Sequence, residues 1–300
     1  MSSEFQIVAL VGRLDDSRVF EPMRALADHL TKAGVKVIAE TPVANELSAT
    51  AVEKSALSEQ ADLLIAVGGD GTILYAAELA RRHDRPLLGV NRGRLGFLAD
   101  VSPIEMLDSL DRILAGDYSS ETRMLLNASI SSPDGTVRKS TGLNDVVLQR
   151  RETGRMVDIE TRIGGRYINT HSGDGLIVAT PTGSTAYSLS CGGPIIEPGL
   201  DAVVLVPICP HTLSDRPIVV PSTHEIEVLP LPRGDIKAEV IVDGRSLGEL
   251  VQTERLVISA ASERITLIHP PGYDYYEILR SKLNWGRDGR VRELPRSTDV

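Results

Sequence analysis

Chemistry first becomes visible at Gly68-Gly69-Asp70-Gly71-Thr72, between an apolar run and a stretch of helix-forming residues. Glycines in such a turn let the backbone take positive φ and let a bulky anion approach. A helix start adds free N–H groups and the positive end of its dipole, so Gly68, Gly69, Gly71 and Thr72 read as a phosphate-handling turn. No Lys-Ser/Thr pair follows as in a Walker loop, and the spacing is not that of the Gly-x-Gly-x-x-Gly dinucleotide turn. An acid here would repel phosphate unless a metal or a proton-donating hydroxyl lay between them, so Asp70 points to phosphoryl transfer. The plainer alternative is a tight turn in which Asp70 caps the helix.

Two further segments could bind rather than react. Gly173-Asp174-Gly175 leads into apolar Leu176 to Ala179 and then into Thr180-Pro181-Thr182-Gly183-Ser184-Thr185-Ala186-Tyr187-Ser188-Leu189-Ser190. Hydroxyls and small residues beside one aromatic ring suit close hydrogen bonding to a ribose or phosphate; a Ser/Thr-rich surface loop is the bland reading. Asn144-Asp145 sets a carboxamide beside a carboxylate, and a carboxylate can accept from two vicinal ribose hydroxyls at once. Such pairs also occur in ordinary turns.

These segments need a scaffold. Phe5 to Val11, Val35 to Ala39, Ala61 to Val67 and Pro86 to Val90 read as strands, and Glu21 to Ala33 and Thr72 to Arg82 as helices between them. Ser102-Pro103-Ile104-Glu105 predicts a further helix opening there and running to about Ala115. This is the pattern of a parallel sheet wrapped by helices. From about Thr122 the chain turns to short alternating segments, with hairpin signals at Pro133-Asp134-Gly135 and Gly164-Gly165. Tyr276, Leu279 and Leu283 return to helical spacing. The expected fold is an α/β, Rossmann-like nucleotide-binding domain over 1–121 and a β-rich, sandwich-like domain over 122–270. A helix at 271–286 would pack back on the first domain, and 287–300 would form a loose tail.

Composition narrows the function. The 300 residues carry 32 Lys and Arg against 41 Asp and Glu, a formal charge of -9. That balance argues against a general nucleic-acid binder, which needs a basic surface. No apolar run approaches the ~20 residues of a membrane span, and the start lacks a secretion-signal pattern, so a cytoplasmic protein is expected. Cys191 and Cys209 form no Cys-x-x-Cys pair and are expected to be reduced and half-buried. The six histidines form no metal set, so any metal should arrive with a nucleotide.

Taken together these segments resemble the bacterial NAD kinases. The likeness rests on 68–72, on Asn91-Arg92-Gly93-Arg94-Leu95-Gly96-Phe97-Leu98, on Asn144-Asp145, on Gly173 to Ile195, and on Pro207 to Pro217. The glycine turn is shared with lipid kinases; Thr180 to Pro194 is the specific part. The resemblance implies transfer of the γ-phosphoryl of ATP to the 2′-hydroxyl of the adenosine ribose of NAD, in a site between the two domains. Asp70 would orient that hydroxyl and finally take its proton. Asn144 and Asp145 would hold ribose hydroxyls, and Thr182, Thr185, Ala186, Tyr187, Ser188 and Ser190 would line the dinucleotide site. Phe97 and Arg155 are further carried-over residues. A homo-oligomer, dimer or tetramer, is implied, with Asp174 acting on a neighbouring subunit's ligand.

With no Walker lysine, the triphosphate charge would be met by Mg²⁺, by N–H groups around Gly69 to Thr72, and by arginines such as Arg92 and Arg94. The chain departs from the family pattern at Asp145, where Glu is common, at Cys191 for Ala, and at Arg245 for Gln. Arg245 is therefore set aside as a site residue. His171 and Ser172 fall in a variable stretch that bears on NAD against NADH. Two rival readings remain: a lipid kinase, for which no basic or amphipathic membrane surface is evident, and a non-catalytic NADP sensor, which would gain nothing from Asp70.

Overall fold

A computed structural model of the chain describes residues 4–13, 16–93, 96–151, 156–231 and 237–285. Arg94, Arg155 and the expected tail at 287–300 lie outside the described residues.

The first part is α/β. Its elements are β1 (Ile7–Gly12), α1 (Ser17–Lys32), β2 (Lys36–Glu40), α2 (Thr41–Leu47), β3 (Thr50–Val52), α3 (Leu57–Gln60), β4 (Leu63–Gly68), α4 (Asp70–Ala80), β5 (Leu87–Asn91) and α5 (Met106–Leu114). The strands lie parallel in the order β3-β2-β1-β4-β5. β4 and β5 are buried along their whole length, the reason they read as unbroken apolar runs. Alternate residues serve opposite faces: Val8 and Leu10 meet α1 and α5, while Ala9 and Val11 join the core of α3 and α4.

In this part three helix starts differ from the sequence reading, and the terminal helix expected from 271 opens at Tyr275. Helix α1 starts at Ser17 rather than Glu21, because the Asp16 carboxylate accepts the Arg18 N–H at 3.0 Å and caps it. Helix α4 starts at Asp70, two residues early, with Gly69 as its cap. Helix α5 waits until Met106: the Ser102 hydroxyl donates to the Glu105 carboxylate at 3.2 Å, and Glu105 N–H closes a turn on Ser102 O instead of opening the helix.

The second part is built from β6 (Ser119–Ser131), β7 (Val137–Gly142), β8 (Asp145–Arg150), β9 (Val157–Ile163), β10 (Arg166–Gly173) and β11 (Gly175–Ala179). After a short α6 (Tyr187–Ser190) come β12 (Ala202–Ile208), β13 (Ile218–Pro221), β14 (Ile226–Pro230), β15 (Ala238–Val242), β16 (Arg245–Leu250) and β17 (Arg255–His269). Both predicted hairpins form, β6 with β7 and β9 with β10. A six-stranded antiparallel sheet runs β13-β12-β11-β8-β15-β16. It faces the antiparallel strands β6, β9, β14 and β17 across a core that includes Leu126, Val146, Ile159, Val178 and Ile258.

The two parts share one sheet. β17 pairs with β6 along nearly its whole length and reaches β5 in parallel at Leu267 opposite Leu87, so an eleven-stranded sheet passes from one part into the other. Helix α7 (Tyr275–Leu283) follows, capped by the Asp274 carboxylate. It buries Ile278 and Leu279, whereas Tyr276, expected on the inner face, is exposed. Its Lys282 ammonium lies 5.6 Å from the centre of the Phe97 ring, in the loop after β5. No helix among the described residues is long and apolar enough to cross a membrane.

Candidate functional site

Strand β4 carries Gly68 and Gly69 to the C-terminal edge of the parallel strands, and α4 begins at once with Asp70. The first N–H groups of a helix have no partner within it; that of Thr72 turns back to the Gly69 carbonyl at 2.8 Å. Gly68, Gly69, Gly71 and Thr72 wall a cleft of about 830 Å³ that Arg13, Arg92 and Arg245 also line. The cleft opens between β1 and β4, where the strand order reverses, the usual crevice for a ligand on such a sheet.

Asp70 does not face this cleft. Its carboxylate accepts the Phe97 N–H at 3.3 Å and the Leu98 N–H at 3.2 Å, from the loop after β5. The approach is close: a Cβ at Gly96 would lie 2.3 Å from Asp70 Oδ1. The phosphate turn and the acid thus occupy different sides of one helix start.

The third segment reaches the same helix through Leu143, which belongs to the buried cluster of Ile73, Ala76 and Ala77. The corner that follows is pinned from the β15–β16 turn. Both oxygens of Asp243 accept backbone N–H groups, from Leu143 at 2.7 Å, Asn144 at 2.9 Å and Asp145 at 3.1 Å. Asp145 is buried, and its carboxylate accepts no hydrogen bond among the described residues. Burial, with the Asp243 charge beside it, pushes its pKa up to about 7.

The hydroxyl-rich segment locks onto that corner. Thr180 Oγ1 donates to Leu143 O at 2.6 Å and Thr180 N–H to Asn144 O at 2.9 Å. Gly183 packs so tightly on Asn144 that a Cβ there would lie 2.0 Å from its carbonyl oxygen. Within the segment, Tyr187 and Ser190 are exposed and Thr185 and Ala186 half-buried, open to a ligand. Ser188 is fully buried, and its hydroxyl has no partner among the described residues. Thr182 is also buried; its hydroxyl accepts from Arg123 at 3.3 Å and so meets the protein interior. Tyr187 stands beside Cys191, and Cys209, expected half-buried, is exposed. Asp174 is held by Arg150, Nε to Oδ1 at 2.8 Å and Nη2 to Oδ2 at 3.2 Å.

Sequence reasoning missed a polar cluster behind this segment. Arg123, 2% exposed, donates to Glu121, Thr182 and the Tyr273 hydroxyl. His269 stacks on Tyr273 at 3.7 Å, with Nδ1 2.8 Å from Asp100 and Nε2 3.0 Å from Glu121. Both ring nitrogens must donate to those carboxylates, so the ring is an imidazolium; burial opposes this, but the two acids raise its pKa. Burial likewise opposes the Glu121 charge, yet His269 and Arg123 hold that carboxyl down to about 2. The cluster joins the loop that holds Asp70, through Asp100, to the hydroxyl-rich segment, through Thr182. Arg123 at the head of the apolar run Met124-Leu125-Leu126 was the local signal that could have found it.

Arg245, set aside on sequence grounds, lines the cleft and pairs with Glu78 of α4. Asp243, which no motif singled out, touches both the cleft and the Asn144-Asp145 corner. Among the described residues no group of three or more His, Cys, Asp or Glu could hold a metal ion.

Comparisons with known proteins agree in kind. Residues 8–118 match the model of the ATP-NAD kinase N-terminal domain and residues 143–270 that of the ATP-NAD kinase C-terminal domain. The chain is 42% identical over 286 residues to the NAD kinase of Ectopseudomonas mendocina (strain ymp), covering 94% of this chain and 97% of that one. It is 42% identical over 290 residues to the NAD kinase of Acinetobacter baylyi, covering 96% and 94%. The crystal structure of yeast NADH kinase complexed with NADH superposes with a TM-score of 0.87 at 24% identity, covering 96% of this chain and 90% of that one. An NAD kinase from Archaeoglobus fulgidus in complex with ATP gives a TM-score of 0.71 at 26% identity, covering 93% and 98%.

Proposed function

The chain belongs to the NAD kinase family, and on that premise we propose that it moves the γ-phosphoryl of ATP to the 2′-hydroxyl of the adenosine ribose of NAD, giving NADP. One observation carries the reading. A single helix start divides a phosphate cleft from an acid, so a donor and an acceptor can meet across it with Asp70 on the acceptor side.

Phosphoryl transfer through a loose transition state asks mainly for alignment and charge neutralisation. The glycine turn, with Gly68, Gly69, Gly71 and Thr72, holds the donor phosphates. Asn144 and Asp145 grip ribose hydroxyls, while Thr185, Ala186, Tyr187 and Ser190 line the dinucleotide. Thr182 and Ser188, both buried, shape this wall from behind. Asp70 aligns the 2′-hydroxyl and accepts its proton late in transfer, and Phe97 presents the N–H that holds Asp70 in place. Mg²⁺ bound to the triphosphate neutralises charge on the transferring group. As part of the nucleotide complex it would be held by the phosphate oxygens. A cytoplasmic homo-oligomer, with Asp174 near a neighbour's dinucleotide, completes the reading.

Purified protein incubated with NAD, ATP and Mg²⁺ is expected to form NADP; runs with NADH and with other phosphoryl donors define its range. No product together with tight NADP binding would establish the sensor instead. The relatives bearing the NAD kinase name weigh against a lipid kinase.

The raised Asp145 carboxyl gives a pH signature. An ionised carboxylate accepts from both ribose hydroxyls, whereas the protonated acid does so poorly. Affinity for NAD should therefore rise by about tenfold between about pH 6 and 8, as a group near 7 ionises, and Asp145→Asn should flatten the profile. Fold stability should move the other way. Unfolded, the group ionises near ~4, so stability held below that pH declines as pH rises and levels off above about 7. Thermal melting of the parent and Asp145→Asn across this range checks the sign.

A further inference from the structure

The β15–β16 turn brings a cation to the donor cleft from the β-rich part of the fold. Val242 pairs with Arg245 across Asp243 and Gly244, both at positive φ, the two-residue geometry of a tight hairpin. Asp243 is fixed by three N–H groups of residues 143–145, so the root of Arg245 is anchored to the ribose corner. Its guanidinium meets Glu78, about two helical turns beyond Asp70 on α4.

We propose that Arg245 binds the triphosphate chain of the phosphoryl donor, exchanging Glu78 for phosphate oxygens. This rests on the phosphotransferase reading and extends it to a further residue for the donor. Three arginines from separate segments, Arg13, Arg92 and Arg245, line the cleft beside the glycine turn. The acids that line it are already engaged. Asp16 takes Arg18 and Arg92, Glu40 accepts the Tyr75 hydroxyl at 2.7 Å, and Asp243 takes backbone N–H groups. Arg92 and Arg245 reach the cleft from exposed ion pairs with Asp16 and Glu78, which the oxygens of an entering polyanion can replace.

The exchange is inexpensive. Arg245 is 47% exposed and Glu78 21%, and a pair so open to water is weak. Glu78 keeps a second arginine, Arg82, at 3.7 Å when Arg245 leaves. A guanidinium then gains a charge-assisted, bidentate contact with phosphate that a neutral glutamine would not make.

Calorimetric titration of the full chain with ATP and, separately, with inorganic tripolyphosphate, both with Mg²⁺, tests this. Arg245→Gln should weaken both by about tenfold, the scale of one hydrogen-bonded charge, with Arg245→Lys weakened less. Glu78→Gln, which frees Arg245, should tighten both by about threefold. Arg245→Gln within twofold of the parent for both ligands overturns the proposal. So does a loss confined to ATP, which would put Arg245 on the nucleoside, or a Glu78→Gln protein that binds more weakly. Binding is read without turnover. A protein that makes no NADP but loses tripolyphosphate affinity in Arg245→Gln therefore refutes the kinase assignment and leaves the Arg245 site standing.

Discussion

Asp70→Asn should lower kcat for NADP formation by about 10³-fold, the middle of the range for removing a positioned proton acceptor. The KM for NAD should change little, because the carboxylate is held by Phe97 and Leu98 and the ribose is gripped from the Asn144-Asp145 corner. Asparagine keeps one oxygen to accept from that loop, but its amide nitrogen faces the second N–H. A small loop adjustment is expected, with thermal melting within a few degrees of the parent. Steady-state kinetics with NAD varied at saturating ATP give the split. Turnover unchanged in Asp70→Asn would remove Asp70 from the reaction, whatever its position.

Gly183→Ala should cost ~3 kcal/mol in stability, the upper end of overpacking, and raise the KM for NAD by well over tenfold. The new methyl would sit 2.0 Å from the Asn144 carbonyl oxygen, a backbone atom that cannot rotate aside. The Thr180 bonds to Leu143 and Asn144 resist sliding, so the strain must lift the hydroxyl-rich segment from the ribose corner. Denaturant unfolding and NAD titration check the two effects. Gly71→Ala is the control: its Cβ would meet nothing within 4 Å, so the same added methyl should leave stability nearly unchanged. A loss in Gly71→Ala as large as that in Gly183→Ala would overturn the steric account, because a methyl acting through the unfolded chain stabilises instead.

Much of the site was legible locally. The glycine turn stood out because a buried parallel strand reads as continuous apolar residues and ends abruptly at Gly68-Gly69. Asn144-Asp145 and the Thr180 to Ser190 run read as candidate binding segments because polar residues interrupt apolar strands there. Their mutual fit was not legible. Thr182 looked like a ligand contact but lies buried on Arg123, and nothing around Thr182 announces an arginine 59 residues away. Arg245 was discounted as an added charge, since its distance along the chain from the glycine turn hid that both line one cleft.

By itself the sequence determined the class of chemistry and the two-part α/β and β-sandwich plan, because strand and helix periods, hairpin turns and glycine corners are written in neighbouring residues. Only the tertiary structure decided which way Asp70 faces, which cations line the cleft, and why burial beside Asp243 pushes the Asp145 carboxyl up to about 7. Each of those depends on partners far apart in the chain. Parallel pairing of β4 with β5 sets the loop of Phe97 against Asp70, and the β15–β16 hairpin lays Asp243 beneath residues 143–145. Burial and charge act through space, so a group's direction and ionisation follow from what the fold places beside it.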